Sequence, residues 1–334
     1  TQKEWEANNE RKFSFPWHII PIYTEIEEID QRIRTFLSEG GWTVATIIFL
    51  ATGKDNVKRG LEELASKVNM FLFLKKIEEL DFRLENITSK ITLDRQEQDQ
   101  TVQIKLNGSS KASWLLRTVK LEVPEAIRLK LRQEKNIPDK LLNVKETELT
   151  FAAKLLEDGI KKLDSSERLL YSYLPTEEAR YAIPVLVNSS FVLGSNRETL
   201  HEDSKWNQWL FENIPVELLK WIAKLVKGKY GQNAYELIPS KSNLPNSLGS
   251  AYSNGLTTAF SSTAFILTNQ HELIKVSQSI IDFTSISKRP FITEAVIRGF
   301  VMDKYNRINI HSNPFLPYTV YGKTFKDIGA ACFE

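Results

Sequence analysis

Leu169–Leu210 reads LLYSYLPTEEARYAIPVLVNSSFVLGSNRETLHEDSKWNQWL, and the fold of the middle of the chain turns on how these residues pair. Two alternating runs, Arg168–Leu174 and Arg180–Val187, flank Pro175-Thr176-Glu177-Glu178, which is turn chemistry. The pattern predicts a hairpin that feeds a third strand, Phe191–Leu193, ended by Gly194-Ser195-Asn196. Arg197 then falls where a strand gives way to a loop, and a guanidinium there can offer forked donors to a phosphate oxygen. The alternative is a surface arginine paired with Glu198 or Glu202.

Downstream of this stretch, Trp206–Lys227 carries Trp206, Leu210, Ile214, Leu218, Trp221, Ile222 and Leu225 in helical register, with Pro215 as an expected break. Its tryptophans read as packing, not as a ligand cage. Ser240–Ser253 reads as a loop, Leu256–Leu267 and His271–Ile281 as helices or mixed elements, and 306–334 as irregular. Upstream, Trp114–Val123 and Thr150–Leu156 alternate as strands, with a short helix expected over Pro124–Glu134. Asn107-Gly108-Ser109-Ser110 is a turn or a domain joint. Nearer the start, Ile22–Leu37 and Asp55–Lys67 have helical periodicity, Val44–Ala51 has the continuous apolar run of a buried strand, and Met70–Leu74 and Leu80–Ile87 read as strands. The whole is α+β, divided as 1–108, 109–202 and a mostly helical 203–334.

Composition narrows the function classes. The 334 residues are 42% hydrophobic, enough for cores, and Lys+Arg 44 against Asp+Glu 42 leaves a net charge of +2. Bulk charge therefore does not favour nucleic acid. The single cysteine, Cys332, excludes an internal disulfide and fits a reducing compartment, and four separated histidines form no ligand pair, so no metal site is expected. No apolar stretch of about 20 residues is present to span a bilayer, and Thr1–Arg11 is too polar for a signal peptide, so no membrane partner is expected and the cytoplasm is the expected address. Neighbouring carboxylates such as Glu62-Glu63 point apart and cannot flank one bond. Neither a Gly-x-Ser-x-Gly elbow nor a Gly-x-x-x-x-Gly-Lys-Ser/Thr loop occurs.

LLYSYLPT, VNSSFVLGSNRETL and WNQWLFENI, in that order, resemble the sacsin and No Vein type of ATPase module, whose relatives share the Bergerat nucleotide fold of the heat-shock protein 90 chaperones. In those chaperones an Asn-x-Ser-Arg-Glu loop of the middle domain sends its arginine to the terminal phosphate of ATP. Ser195-Asn196-Arg197-Glu198 is similar to that loop, with the asparagine between serine and arginine, and the resemblance puts Arg197 forward as the phosphate contact. Phe15-Pro16-Trp17 resembles the strand after the nucleotide lid, and Gly41-Trp42-Thr43 the Gly-x-Thr entry to the last Bergerat strands, which assigns Gly41 and Thr43 to the nucleotide side. Tyr235–Pro239 and Ile280–Thr284 are similar to segments that follow the middle domain, so the likeness covers roughly residues 13 to 305.

The resemblance implies the C-terminal part of a Bergerat-type α/β sandwich, then a middle α+β domain, then a mostly helical tail. The family's Asn box, Asp-x-Gly loop and glycine-rich lid all precede the Phe-Pro-Trp strand, so the chain is expected to be a fragment. ATP and magnesium belong to the complete protein, with the upstream ATP-binding half and a protein client as partners. No cofactor is expected on this chain alone, which is expected to be inactive. Two classes stay open: an ATPase-linked conformational module, and a non-catalytic scaffold that retains the fold.

Overall fold

The computed structural model describes residues 25–40, 54–84, 87–96, 98–134, 139–157, 159–181, 183–194, 198–241, 244–268, 271–282, 308–309 and 318–333. The chain divides into two units, Thr1–Val57 and Lys58–Glu334. In the first, a 3₁₀ turn at Ile26–Glu28 leads into helix α1 (Gln31–Gly40), which Asp30 caps by accepting from Arg32 N at 2.9 Å. Helix α2 (Lys54–Ser66) spans the boundary, close to the expected Asp55–Lys67. The expected strand Val44–Ala51 lies outside the described residues.

The second unit begins with a correction. Met70–Leu74 is not a strand: Val68–Phe71 is a 3₁₀ turn, and Phe71, Leu72 and Phe73 all bury in one apolar cluster. A strand would send alternate side chains to opposite faces, so the turn hides more of this run on a single side. The Arg95 guanidinium fixes the turn by donating to Leu72 O at 3.2 Å and Leu74 O at 3.1 Å.

Next comes a meander: β1 (Glu79–Leu84), β2 (Ile87–Gln96), β3 (Thr101–Leu106) and β4 (Ser109–Glu122), all antiparallel. Asn107 (φ 51°) and Gly108 (φ 79°) make the β3–β4 turn, the two positive φ values of a tight hairpin, and Ser109 and Ser110 already pair with Leu106 and Lys105. Helices α3 (Glu125–Leu131) and α4 (Asp139–Leu142) precede β5 (Glu146–Leu156), which pairs with β4 over ten registered positions, and β6 (Gly159–Lys161) folds back on β5.

Between Arg168 and Leu193 the chain departs from the expected hairpin. β7 (Leu170–Ser172) and β8 (Leu174–Pro175) turn around Tyr173 alone, and β9 (Leu186–Ser189) runs parallel to β7 and antiparallel to β5. Thr176 ends the turn by returning its N–H and hydroxyl to Leu170 O, at 2.9 and 2.8 Å. The expected strand Phe191–Leu193 is instead one arm of a small loop, joined to Leu200 by a single antiparallel bridge. The sheet order is β1-β2-β3-β4-β5-β9-β7-β8, with β6 on β5.

The sheet is mixed and buried on both faces at its centre. Leu149, Phe151, Ala153 and Val187 point to a helical layer, while Trp114, Ala152, Tyr171 and Leu186 point to the cluster around Leu72. Helix α5 (Lys205–Lys227) forms the helical layer, capped by Ser204, and it runs through Pro215 without the expected break. Phe211, Ile214 and Leu218 are fully buried around that proline, and burial of such side chains, about 1.5–3 kcal/mol each, outweighs the roughly 3 kcal/mol an interior proline costs. Trp221 stacks on Phe151 of the sheet at 6.0 Å.

Helix α6 (Ser247–Ser262) corrects the expected loop over Ser240–Ser253. Asn246 caps it by accepting from Gly249 N at 2.7 Å, and Leu248, Ala251, Tyr252, Leu256 and Ala259 make its buried stripe. Gly255 lets α6 close on α5, because a Cβ there would collide with the Glu212 carbonyl. After α6 come β10 (Ile266–Leu267), β11 (Leu273–Ile274), β12 (Ser279–Asp282), β13 (Ile308–Asn309), helix α7 (Tyr318–Asp327) and β14 (Ala331–Phe333). β12 pairs in parallel with both β13 and β14. Among the described residues after 203 both helices and short strands occur, and 318–333 forms a helix and a strand where irregular chain was expected.

Candidate functional site

Arg197, Gly41 and Thr43 lie outside the described residues, as do Phe15-Pro16-Trp17. What is described are the residues on either side of Arg197 in the chain, 192–194 and 198–201. Asn207, one turn into α5 and fully buried, donates Nδ2 to Val192 O at 2.7 Å and to His201 O at 3.0 Å, and accepts from Val192 N at 2.9 Å. One side-chain amide thus ties both stems of the loop to the helix. His201 N also donates to Val192 O at 3.0 Å, and Gly194 N to Thr199 O at 2.8 Å, so the stems pair down to the last described residue.

A charged network closes the same base from the other side. Glu178, 3% exposed, accepts at Oε1 from Leu200 N at 3.3 Å and takes both arms of the Arg180 guanidinium, at 2.7 and 3.0 Å. Glu177 N donates to Glu198 O at 2.8 Å. Arg180 reaches on to Glu202 Oε1 at 2.7 Å, which also accepts from Asn246 Nδ2 at 3.0 Å, and Asn246 Nδ2 lies 3.3 Å from the Tyr181 hydroxyl. The bond to Glu178 holds the Arg180 guanidinium above its ordinary pKa, and burial pushes the Tyr181 phenol up to about 12. Glu202, an expected alternative partner of Arg197, is thus already engaged by Arg180 and Asn246. Sequence reasoning missed Glu178 and Asn207, because a polar residue in a turn or on a helix carries no periodic mark of burial.

At the C-terminal end of β9 lies a second feature, a cavity of ≈ 610 Å³ between the 73–77 segment, α4 and the start of β5. Asn188, Ser189, Ser190 and Thr147 line it together with Phe73 and Tyr173. Among the described residues no three His, Cys, Asp or Glu side chains converge as for a metal ion, and no helix is long and apolar enough to cross a membrane.

The class these features define is an α+β protein with a mixed sheet and helices. Over 185 residues the chain is 24% identical to Protein NO VEIN of Arabidopsis thaliana, a match that covers 54% of this chain and 6% of that protein. No protein-family model and no solved structure matches.

Proposed function

We propose that this chain is a segment of a sacsin-like, heat-shock-protein-90-like ATPase, in which a middle domain couples ATP state to conformational change through Arg197. The observation that carries the reading is the fixed base of the 193–200 loop, held by Asn207 and Glu178. A guanidinium that must meet a phosphate bound elsewhere gains from such a mount, since misplacement by about 1 Å can cost about 100-fold in rate. The similarity to NO VEIN over 54% of the chain supports the same family reading.

In this reading the N-terminal residues, with Gly41 and Thr43, close the nucleotide side of a Bergerat-type domain. ATP and magnesium are held mainly by upstream residues, the upstream half and a protein client are the partners, and the cytoplasm is the setting. Arginine supplied from a second domain stabilises charge on the transferred phosphoryl group more than it binds the ground state. In the complete protein, Arg197→Ala is expected to lower ATP turnover by about 10³ while leaving ATP affinity within a few-fold, and Arg197→Lys to rescue little because the fork is lost. A loss no larger than that of Arg180→Ala would favour a scaffold that keeps the fold without the nucleotide contact.

A further inference from the structure

The cavity at the end of β9 differs from the loop base in one respect: several of its side-chain donors and cations have no partner among the described residues. Asn188 is 8% exposed, and its Oδ1 is spent on Tyr173 N at 2.8 Å, while among the described residues no acceptor takes its two Nδ2 protons. Thr147 and Ser190 share one hydrogen bond at 2.9 Å, which uses one of their two hydroxyl protons and leaves the other. Ser189 is spent on Glu148 O at 2.8 Å.

The charges have the same bias. Glu148 is paired with Lys75, and Glu146 with Lys120 at 3.6 Å, so both carboxylates that line the cavity are matched. Lys76 and Lys140 line it too and pair with no carboxylate among the described residues. Leu74, Ile77, Leu141 and Val144 supply apolar wall. Tyr173, 57% exposed, holds a φ of 68°, rare for a bulky residue, and Asn188 pins that conformation at the rim. A volume of ≈ 610 Å³ is in the range of small-molecule sites.

We propose that this cavity binds a small organic oxyanion: a phosphate or carboxylate on an aromatic or aliphatic body. The oxyanion accepts from Asn188 Nδ2 and the free hydroxyl proton between the Lys76 and Lys140 ammonium groups, and the body packs on the apolar wall beneath Tyr173. Titration calorimetry on the full chain tests it, with phenyl phosphate, benzoate and inorganic phosphate as probes. Saturable one-to-one binding of phenyl phosphate or of benzoate is expected, at least about tenfold tighter than inorganic phosphate, and whichever aromatic probe binds better identifies the headgroup. The double variant Lys76→Glu, Lys140→Glu should weaken it by about tenfold or more, as should Asn188→Asp, whereas Lys224→Glu on the exposed side of α5 should not. No saturation by either aromatic probe up to about 10 mM, equal affinity for inorganic phosphate, or affinity unchanged in the lysine double variant would each overturn the proposal.

Discussion

The loop base at Val192–His201 and the cavity at Asn188–Ser190 lie next to each other along the chain, yet their polar groups are used in opposite ways. At the base, Asn207 makes three hydrogen bonds and Glu178 meets Arg180 and Leu200 N, so the side chains that hold the stems are engaged inside the protein. In the cavity, Asn188 and the Thr147–Ser190 pair keep donors in hand. A network closed on itself acts as a mount, and one left with donors is prepared for an outside acceptor. Deleting a member of the first should cost stability, and deleting a member of the second should cost binding.

The largest effect should come from Asn207→Leu, which leaves Val192 N, Val192 O and His201 O without their side-chain partner at a buried position. About 4 kcal/mol of stability should be lost, read by urea unfolding. Glu178→Ala should cost about 3 kcal/mol, less than a fully buried ion pair because Arg180 is half exposed and regains water. Gly255→Ala tests the helical layer on which the base rests: the α5–α6 contact must open, at a cost of about 1–3 kcal/mol. Asn188→Ala, by contrast, should cost only about 1 kcal/mol through the bond to Tyr173 N.

The smallest effect is pH-dependent and lies away from both regions. Burial raises the Glu167 carboxyl, but the Lys154 ammonium and Asp164 N–H that bond to it prevail and hold its pKa below the ordinary value. A lowered folded pKa means that the contribution is complete above the unfolded value, about 4.3, and disappears as pH falls through the folded one. Glu167→Gln should therefore flatten the acid side of the stability profile slightly, by under about 1 kcal/mol, with no change at pH 7 to 9 in the slope.

How much of this was legible beforehand follows from what periodicity encodes. Helix α5 was visible in the spacing of Trp206 to Leu225, and β4 and β5 in their alternation, because burial on a face repeats along the element. The pairing of β7 with β9 was not visible, since alternation marks a strand without naming its neighbour, and the turn falls at Tyr173, a residue no turn rule selects. Pro215 and Ser247–Ser253 misled for a related reason: tertiary burial overrode a local breaker in the one and a polar composition in the other. The position of Arg197 after a strand-like run came from the sequence, but the residues that hold the flanking stems did not. Glu178 lies 19 positions before it and Asn207 ten after, and only the folded chain brings both to the stems of one loop. The cavity draws on residues 73–77, 140–148, 173 and 188–190, a constellation with no linear signature.

The mount is tested most directly by native-state hydrogen exchange at the Leu200 amide, whose acceptor is the buried Glu178 carboxylate. In the unmodified chain that amide should exchange only with global unfolding, at the rate of the α5 core amides, and Glu178→Ala should speed it by at least about 100-fold relative to those amides, having opened the base alone. A Leu200 amide that exchanges freely in the unmodified chain, or one whose protection relative to α5 is unchanged by Glu178→Ala, would contradict the account.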